Sequence, residues 1–390
     1  MGIAPHATPR VLMPTDRPRI LHLTMEHGAD DARVYGKEVL SLLEKYGEIH
    51  LACPPASDAS WRPAAGVVWH ELPWYRGPSS WPSCWRAATR VVRSIPGPRI
   101  VHTHEPESAV AARLFGWCDP SRLIYDAHEY YPALRSSHRG ALRGWLLRRV
   151  FSMMDSSSAR SAGCVIAVDE DLAAHYARRG VEAAVVSNAC GMIPESALRA
   201  DRDGGRVVYA GGLSRARGID VLLDAARRLI GAGVDLRLDL AGAVIDPAIG
   251  EAIASAAAEF PDRVRHLGVL RHDEVLSLLG ETSIGVIPFR RVPFYTGRPV
   301  KLLEYAMTGN SVVATDQGPK ADFVRAHGCG AVVPPGDAGA LADALAERIG
   351  DPELARAEGA RARSAAVSLC WEAVDRPVLL SVYERLLAIP

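Results

Sequence analysis

Lys301 and Glu304 stand three residues apart in VKLLEYAM. If that segment is helical, they share one face. A cation and a carboxylate there can hold a phosphate and a hydroxylated ring; the plainer alternative is a solvated face with an ion pair. The flanking sequence argues for a helix start. SIGVIPF reads as a buried strand, a short apolar run rich in β-branched residues. A loop with Pro293, Thr296, Gly297 and Pro299 follows, and Pro299 falls at or just before the first helical turn, where a missing N–H costs little. SVVATD is the next buried strand. The result is a βαβ unit whose helix N-terminus offers free N–H groups and partial positive charge to an anion. The chain has only four lysines, at 37, 45, 301 and 320, so a lysine in a candidate site carries information.

A second anion-binding pattern precedes it. GGLSRARGID, residues 211–220, follows the strand RVVYA. Gly211, Gly212 and Gly218 surround a strand-to-helix turn that carries Arg215 and Arg217. Small residues let a pyrophosphate approach the backbone, and an arginine can grip it with two hydrogen bonds. The turn is not GxGxxG, and no acidic residue follows about twenty positions later to hold a ribose, which disfavours a nicotinamide cofactor.

The elements that must position these residues repeat through the chain. RILHLT, IHLAC, VVWHEL, RIVHTHEP, RLIYDAHEYYP, CVIAVD and AVVSNACGMIP read as strands, and helical segments intervene. ALRADRDGGR, residues 197–206, reads as a linker. Strand and helix then alternate again to DAGALADALAERIG. This pitch means parallel sheets. Two such runs give an α/β chain of two doubly wound Rossmann-like domains facing across a cleft, with ligands outside the carboxyl ends of the strands. The expected boundaries are 19–196 and 204–367, with 368–390 a terminal helix. WYRGPSSWP reads as a loop. RGALRGWLLRRVFSMM, residues 139–154, sets Trp145, Leu146, Val150 and Phe151 against Arg139, Arg143, Arg148 and Arg149; an ordinary core-packing helix is preferred over a membrane-surface one.

The composition excludes several classes. The 45 basic and 45 acidic side chains cancel, so no global field attracts nucleic acid. Seven scattered cysteines without a CxxC pair make neither a zinc site nor a disulfide framework and suit a reducing compartment. No apolar run is long enough to span a bilayer. Met1 to Arg17 lacks the apolar core of a signal peptide and reads as a loose leader. The expected location is cytoplasmic, or peripheral at the inner face of a membrane.

GGLSRARGIDVLLDAARRL and RPVKLLEYAMTGNSVVATD resemble the donor half of retaining, two-Rossmann (GT-B) glycosyltransferases of family 4. ADDARVYGKE, VHTHEPESA, LIYDAHEYYP and VSNACG resemble a bacterial subgroup of that family, so the resemblance runs from about residue 19 to the C-terminus. It implies that the terminal helix returns to the first domain. It implies that Glu304, the second of two family glutamates, holds the nucleotide ribose. The first falls at Thr296, where the carboxylate is missing, though Thr296 and Gly297 would still offer backbone N–H groups. The family's Arg and Lys of the glycine turn fall at Gly212 and Arg217, so Lys301 is expected to supply the missing cation. The base would lie near Gly268, Val269, Leu270 and Arg271; Gly211 and Leu302 complete the donor set. His128 matches the histidine that approaches the transferred sugar. Asp31, Arg33, Glu105, Asp126, Glu129 and Asn188 are weaker acceptor-side candidates. Local alternatives stand beside these: His128 as a satisfied histidine at a strand end, His102 and His104 as structural, Asp126 as a local cap. No metal cluster is evident, no DxD follows a strand, and such transferases generally need no metal or other cofactor.

The reading is transfer of a hexose-type sugar from a UDP- or GDP-linked donor, with retention, to a small metabolite or a lipid-linked glycan precursor. The leaving diphosphate would be stabilised by Arg217, Lys301 and the helix N-terminus. The competing readings are a nucleotide-sugar epimerase of the same fold, which needs an acid/base carboxylate near the sugar, and a non-catalytic sugar-nucleotide binder.

Overall fold

The computed structural model describes residues 19–389, apart from 98, 133–140, 196–197, 199–201 and 292–299. The Met1–Arg17 leader, Thr296 and Gly297 lie outside the described residues. The chain forms two compact units: one runs to Ser187 and resumes at Asp375, the other spans Asn188–Val374.

The first unit is built on seven parallel strands: β1 (Arg19–Leu23), β2 (Ile49–Cys53), β3 (Val67–Glu71), β4 (Arg99–Thr103), β5 (Leu123–Ala127), β6 (Cys164–Ala167) and β7 (Ala183–Val185). Their order is β3-β2-β1-β4-β5-β6-β7. All five residues of β5 are buried, as expected for a central parallel strand covered on both faces. The covering helices are α1 (Leu40–Tyr46), α2 (Trp81–Ser94), α3 (Pro106–Leu114), α4 (Ala141–Ser161) and α5 (Glu170–Ala177). A π-helical turn, Val34–Val39, runs straight into α1 and buries Glu38.

The second unit has six parallel strands in the order β10-β9-β8-β11-β12-β13. They are β8 (Asp203–Ala210), β9 (Arg237–Ala241), β10 (Val264–Gly268), β11 (Thr282–Ile287), β12 (Ser311–Thr315) and β13 (Gly330–Val333). Its helices are α6 (Ile219–Gly231), α7 (Pro247–Glu259), α8 (His272–Glu281), α9 (Val300–Met307), α10 (Pro319–His327), α11 (Ala338–Gly350) and α12 (Pro352–Val367). Each sheet reverses its winding beside its first strand, at β1/β4 and at β8/β11, the position where doubly wound sheets open a ligand crevice.

Several expectations need correction. The unit boundary falls at Ser187/Asn188, because Ala189, Cys190 and Ile193 pack into the second core. Asp203–Arg206, expected to be linker, opens β8, with Arg206 bonded to Asp239 and Glu281. The last helix, α13 (Asp375–Leu387), starts at Asp375 rather than near 368, since Cys370 still belongs to the second core. From there the chain is in the first unit, where Asp375 accepts from Ser187 and the Tyr383 hydroxyl lies 2.9 Å from His22 Nε2. The loop WYRGPSSWP ends early: its last two residues, Trp81 and Pro82, already open the helix Trp81–Ser94. In α4 the apolar set does not share a face: Phe151 is buried, whereas Trp145 and Leu146 are each 56% exposed. The inward side carries Asp155, which accepts from the Tyr125 and Tyr176 hydroxyls.

Candidate functional site

In the second unit, Gly211–Gly218 leaves the carboxyl end of β8 and packs against the end of β11. Arg290 N donates to Ala216 O at 3.1 Å. Gly218 caps α6 with φ 71°, and a Cβ there would collide with the Pro288 carbonyl, so no other residue fits without moving the β11 loop. Gly211 has φ 134°, and a Cβ there would meet the Lys301 ammonium. Two of the sequence-predicted patterns, separated by about eighty residues of chain, therefore touch at Gly211 and Lys301.

Three cations gather around one ring. The Arg217 guanidinium lies 4.9 Å from the Phe289 centroid, Lys301 Nζ 5.4 Å and Lys320 Nζ 5.6 Å. Lys301 Nζ also sits 4.1 Å from the Tyr209 centroid and has no hydrogen-bond partner among the described residues. Cation–π contact offsets part of its lost hydration. Burial, with Arg217 nearby, pulls its pKa down to about 7 despite Glu304. Burial likewise lowers Lys320 to about 8. Lys320 opens α10 and donates to Gln317 O at 2.6 Å. Sequence reasoning counted this lysine without placing it; its rarity and its position after Gly318-Pro319 were the available signal.

Glu304 lies on α9 with Lys301, and His272 Nδ1 is 3.7 Å from its carboxylate. His272 opens α8 just after Gly268, Val269, Leu270 and Arg271, so the segment expected to hold the base is brought beside Glu304. Val269 is exposed, whereas the Leu302 side chain is fully buried in the core and offers nothing to a ligand. Gly212 follows Gly211 in the turn and its carbonyl accepts from the Tyr209 hydroxyl.

In the first unit, most acceptor-side candidates turn inward. Arg33 is 5% exposed; its guanidinium donates to Glu38, to both oxygens of Asp126 and to Val186 O. Its expected role in phosphate or acceptor contact is corrected accordingly, and fully buried Asp126 is its counter-ion. Burial would raise Asp126, but Arg33 and the neighbouring imidazoles hold it well below the usual carboxylate range. Asp31 accepts from the backbone of Arg33 and Val34 and pairs with His27 at 3.0 Å. These contacts outweigh its own desolvation and hold it at about 2. Glu105 brackets the end of β1, bonding Thr24, the Met25 and Glu26 amides and Ser108. Glu129 is exposed after β5, and Asn188 falls in the second unit.

His128 follows β5, with Nε2 3.2 Å from Asp126 Oδ2 and 3.0 Å from His104 Nδ1. Burial and the Arg33 charge lower it to about 4, so it is a neutral hydrogen-bonding group near neutrality. Behind it His22, His102, His104 and Glu38 form a fully buried cluster. These side chains come from three separate segments, so no local spacing in the sequence points to their meeting, and their ligand-type atoms lie within 4.8 Å of one another.

Both halves of the chain match models of one family. Residues 41–189 match the "Glycosyl transferase 4-like domain" and residues 204–351 match "Glycosyl transferases group 1". The chain belongs to the group 1 glycosyl transferases. Among curated proteins it is similar to alpha-D-kanosaminyltransferase of Streptomyces kanamyceticus, 28% identical over 149 residues. That match spans 38% of this chain and 37% of the relative. Among solved structures, sucrose-phosphate synthase from Thermosynechococcus elongatus superposes with a TM-score of 0.72 at 20% identity, over 95% of this chain and 100% of that one. Anabaena Alr3699/HepE in complex with UDP gives 0.64 at 17% identity, over 94% and 99%. These likenesses fix the fold of this group 1 chain: two parallel-sheet Rossmann-like domains with covering helices.

Proposed function

We propose that this chain transfers a hexose-type sugar from a nucleoside-diphosphate sugar, UDP- or GDP-linked, to an acceptor with retention of anomeric configuration. The observation that carries the reading is the trio Arg217, Lys301 and Lys320 around Phe289. Three like charges held together at the mouth of a glycine turn favour a polyanion, and a diphosphate supplies one. The Anabaena neighbour solved with UDP supports the donor class, and the partial match to a kanosaminyltransferase supports a sugar as the transferred group.

In this mechanism the bond between the anomeric carbon and the diphosphate oxygen breaks, and a bond from that carbon to the acceptor oxygen forms on the same face. The acceptor proton passes to the departing phosphate oxygen. Arg217, Lys301 and Lys320 stabilise the charge that develops on the diphosphate. Glu304 holds the ribose, and neutral His128 hydrogen-bonds the sugar without acting as a base. No metal is required for these steps.

A thermal-shift panel of nucleoside diphosphates and their sugars tests the donor, since a ligand of the folded state raises the melting point by mass action. UDP or GDP should stabilise the wild type and leave Arg217→Ala unmoved; no shift with any nucleotide refutes the reading. Product NMR then tests retention. The acceptor is a small metabolite or a lipid-linked glycan precursor. Exposed Trp145, Leu146 and Met153 beside exposed Arg148 and Arg149 support contact with an anionic lipid surface in the second case. Sedimentation with anionic vesicles separates the two.

A further inference from the structure

The cluster beneath His128 has more ligating atoms than the hydrogen bonds around it use. We propose that His22, Glu38, His102 and His104 bind one divalent first-row transition-metal ion of the zinc type, in a closed structural site inside the first unit. The four residues offer ligand atoms that all lie within 4.8 Å of one another. Glu38 Oε2 is 4.0 Å from His22 Nδ1, 4.0 Å from His102 Nε2 and 4.0 Å from His104 Nδ1. All four side chains are fully buried.

Two of those atoms are orphans. Glu38 Oε2 and His102 Nε2 make no well-formed hydrogen bond among the described residues, and Asp126 Oδ2 stands 3.5 Å from His102 Nε2. A buried carboxylate oxygen left unpaired costs more than a typical hydrogen bond returns. At 4.0 Å the three nitrogens are too far from Oε2 to hydrogen-bond it, yet close enough to converge on a shared cation. His22 Nδ1 is hydrogen-bonded to His104 Nε2 at 3.2 Å and His104 Nδ1 to His128 Nε2 at 3.0 Å, bonds the ion would replace. Bonds of roughly 2.0 Å at tetrahedral angles put ligand atoms about 3.3 Å apart, so each 4.0 Å gap to Glu38 Oε2 would close by about 0.7 Å on binding. Three imidazoles and one carboxylate suit zinc and its neighbours rather than calcium or magnesium, which take oxygen ligands.

The surroundings already orient the ligands. The Tyr383 hydroxyl oxygen lies 2.8 Å from His102 Nδ1 and 2.9 Å from His22 Nε2, the ring nitrogens on the far side from Glu38. Accepting from both, it would fix the tautomers that leave His102 Nε2 and His22 Nδ1 without a proton, the form a metal ligand needs. The other Glu38 oxygen accepts from Arg33 Nε at 2.9 Å, and Arg33 is matched in turn by Asp126. The Arg33 cation is thus held on the opposite side of the Glu38 carboxyl from the proposed ion. The register explains the convergence: His22 on β1 stands beside His102 on β4, and His104 follows two residues on, on the same face. The ion would tie the first and fourth strands to the π-helical turn and, through Tyr383, to the terminal helix α13.

The test uses the whole, tag-free chain expressed in zinc-supplemented medium, passed through chelating resin and analysed for metal. One zinc per chain is expected, and protein produced with Co2+ should show the visible bands of a tetrahedral cobalt centre. His102→Gln and Glu38→Gln should each lose the zinc. Tyr383→Phe should weaken retention against a competing chelator by about 10- to 100-fold. His70→Gln, which breaks the surface His50–His70 pair, should leave the stoichiometry unchanged. Metal-free wild-type protein without cobalt bands overturns the proposal, as does zinc that His102→Gln and Glu38→Gln do not remove. If circular dichroism shows those two variants unfolded, the wild-type cobalt spectrum and the Tyr383→Phe competition decide it alone.

Discussion

Replacing Lys301 by methionine should make the ligand-free protein more stable and unable to hold a nucleotide. Lys301 is buried, hydrogen-bonds to no described residue and has its pKa lowered from 10.5 to about 7. At about 1.4 kcal/mol per pKa unit, keeping that ammonium charged at neutral pH costs up to about 5 kcal/mol. Contacts with the Tyr209 and Phe289 rings are part of the same balance, so a net gain of about 2 kcal/mol on substitution is a reasonable scale. Methionine keeps the length and packs against the same rings. For a unit of this size such a gain raises the melting midpoint by about 4–8 °C. The sign with pH is also fixed. The unfolded chain binds the Lys301 proton up to its ordinary pKa, while the folded chain releases it near 7. Between those values the unfolded state holds more protons, so the wild type gains stability as pH rises from about 7 toward 10. Lys301→Met should lack that rise. Differential scanning calorimetry of the second unit's transition at pH 7 and pH 9, with and without UDP or GDP, reads all three effects. A variant that melts earlier than wild type at pH 7, or that still gains stability from nucleotide, would refute the reasoning.

Other perturbations have equally definite outcomes. Gly218→Ala forces a Cβ into the Pro288 carbonyl at a positive φ and should cost about 3 kcal/mol or more, seen as a lowered denaturation midpoint. Lys320→Met should weaken diphosphate binding about tenfold by calorimetry, with the loss shrinking in high salt. His128 is neutral down to about pH 4, so kcat/KM should show no protonation step near 6.5 from this residue. His128→Asn, which keeps a hydrogen-bonding side chain, should retain more kcat than His128→Ala.

The glycine turn and the Lys301 helix of the second unit were legible because their signals are local. Gly211, Gly218 and Arg217 sit in one turn, and Lys301 and Glu304 on one helical turn, so spacing showed that each set shares a local element. What spacing could not show was that Gly211 touches Lys301, or that Lys320 joins them from a third segment around Phe289. Local composition misled in two places. The prolines and tryptophans of WYRGPSSWP suggested a loop, but Pro82 falls in the first turn of α2, where it is tolerated, and Trp81 stacks on Trp85 one turn later at 5.6 Å. The glycines of DRDGGR suggested a linker, but Gly205 lies in β8, where a Cβ would collide with the Asp235 carbonyl, so the strand takes no larger residue there.

The first unit was harder to read for an electrostatic reason. In the second unit, Lys301 lacks a hydrogen-bonded counter-ion, so a site shows as charge awaiting an anion. In the first unit charge is already matched: Arg33 is paired with Glu38 and Asp126, and Asp31 with His27. A sequence shows Arg33 and Asp126 as polar residues near the carboxyl ends of strands, which is also how an acceptor-binding residue looks. Only burial distinguishes them, because an arginine that binds substrate must reach it, and this one is buried with its Nε and Nη2 donors given to two carboxylates and a carbonyl. The histidines show the same ambiguity from the other side. His102 and His104 alternate along a strand as apolar residues would, and nothing in the sequence pairs them with Glu38, more than sixty positions earlier. A buried Glu38 oxygen without a partner is the residue of that pairing, and it separates a cluster that could hold a cation from one that merely packs.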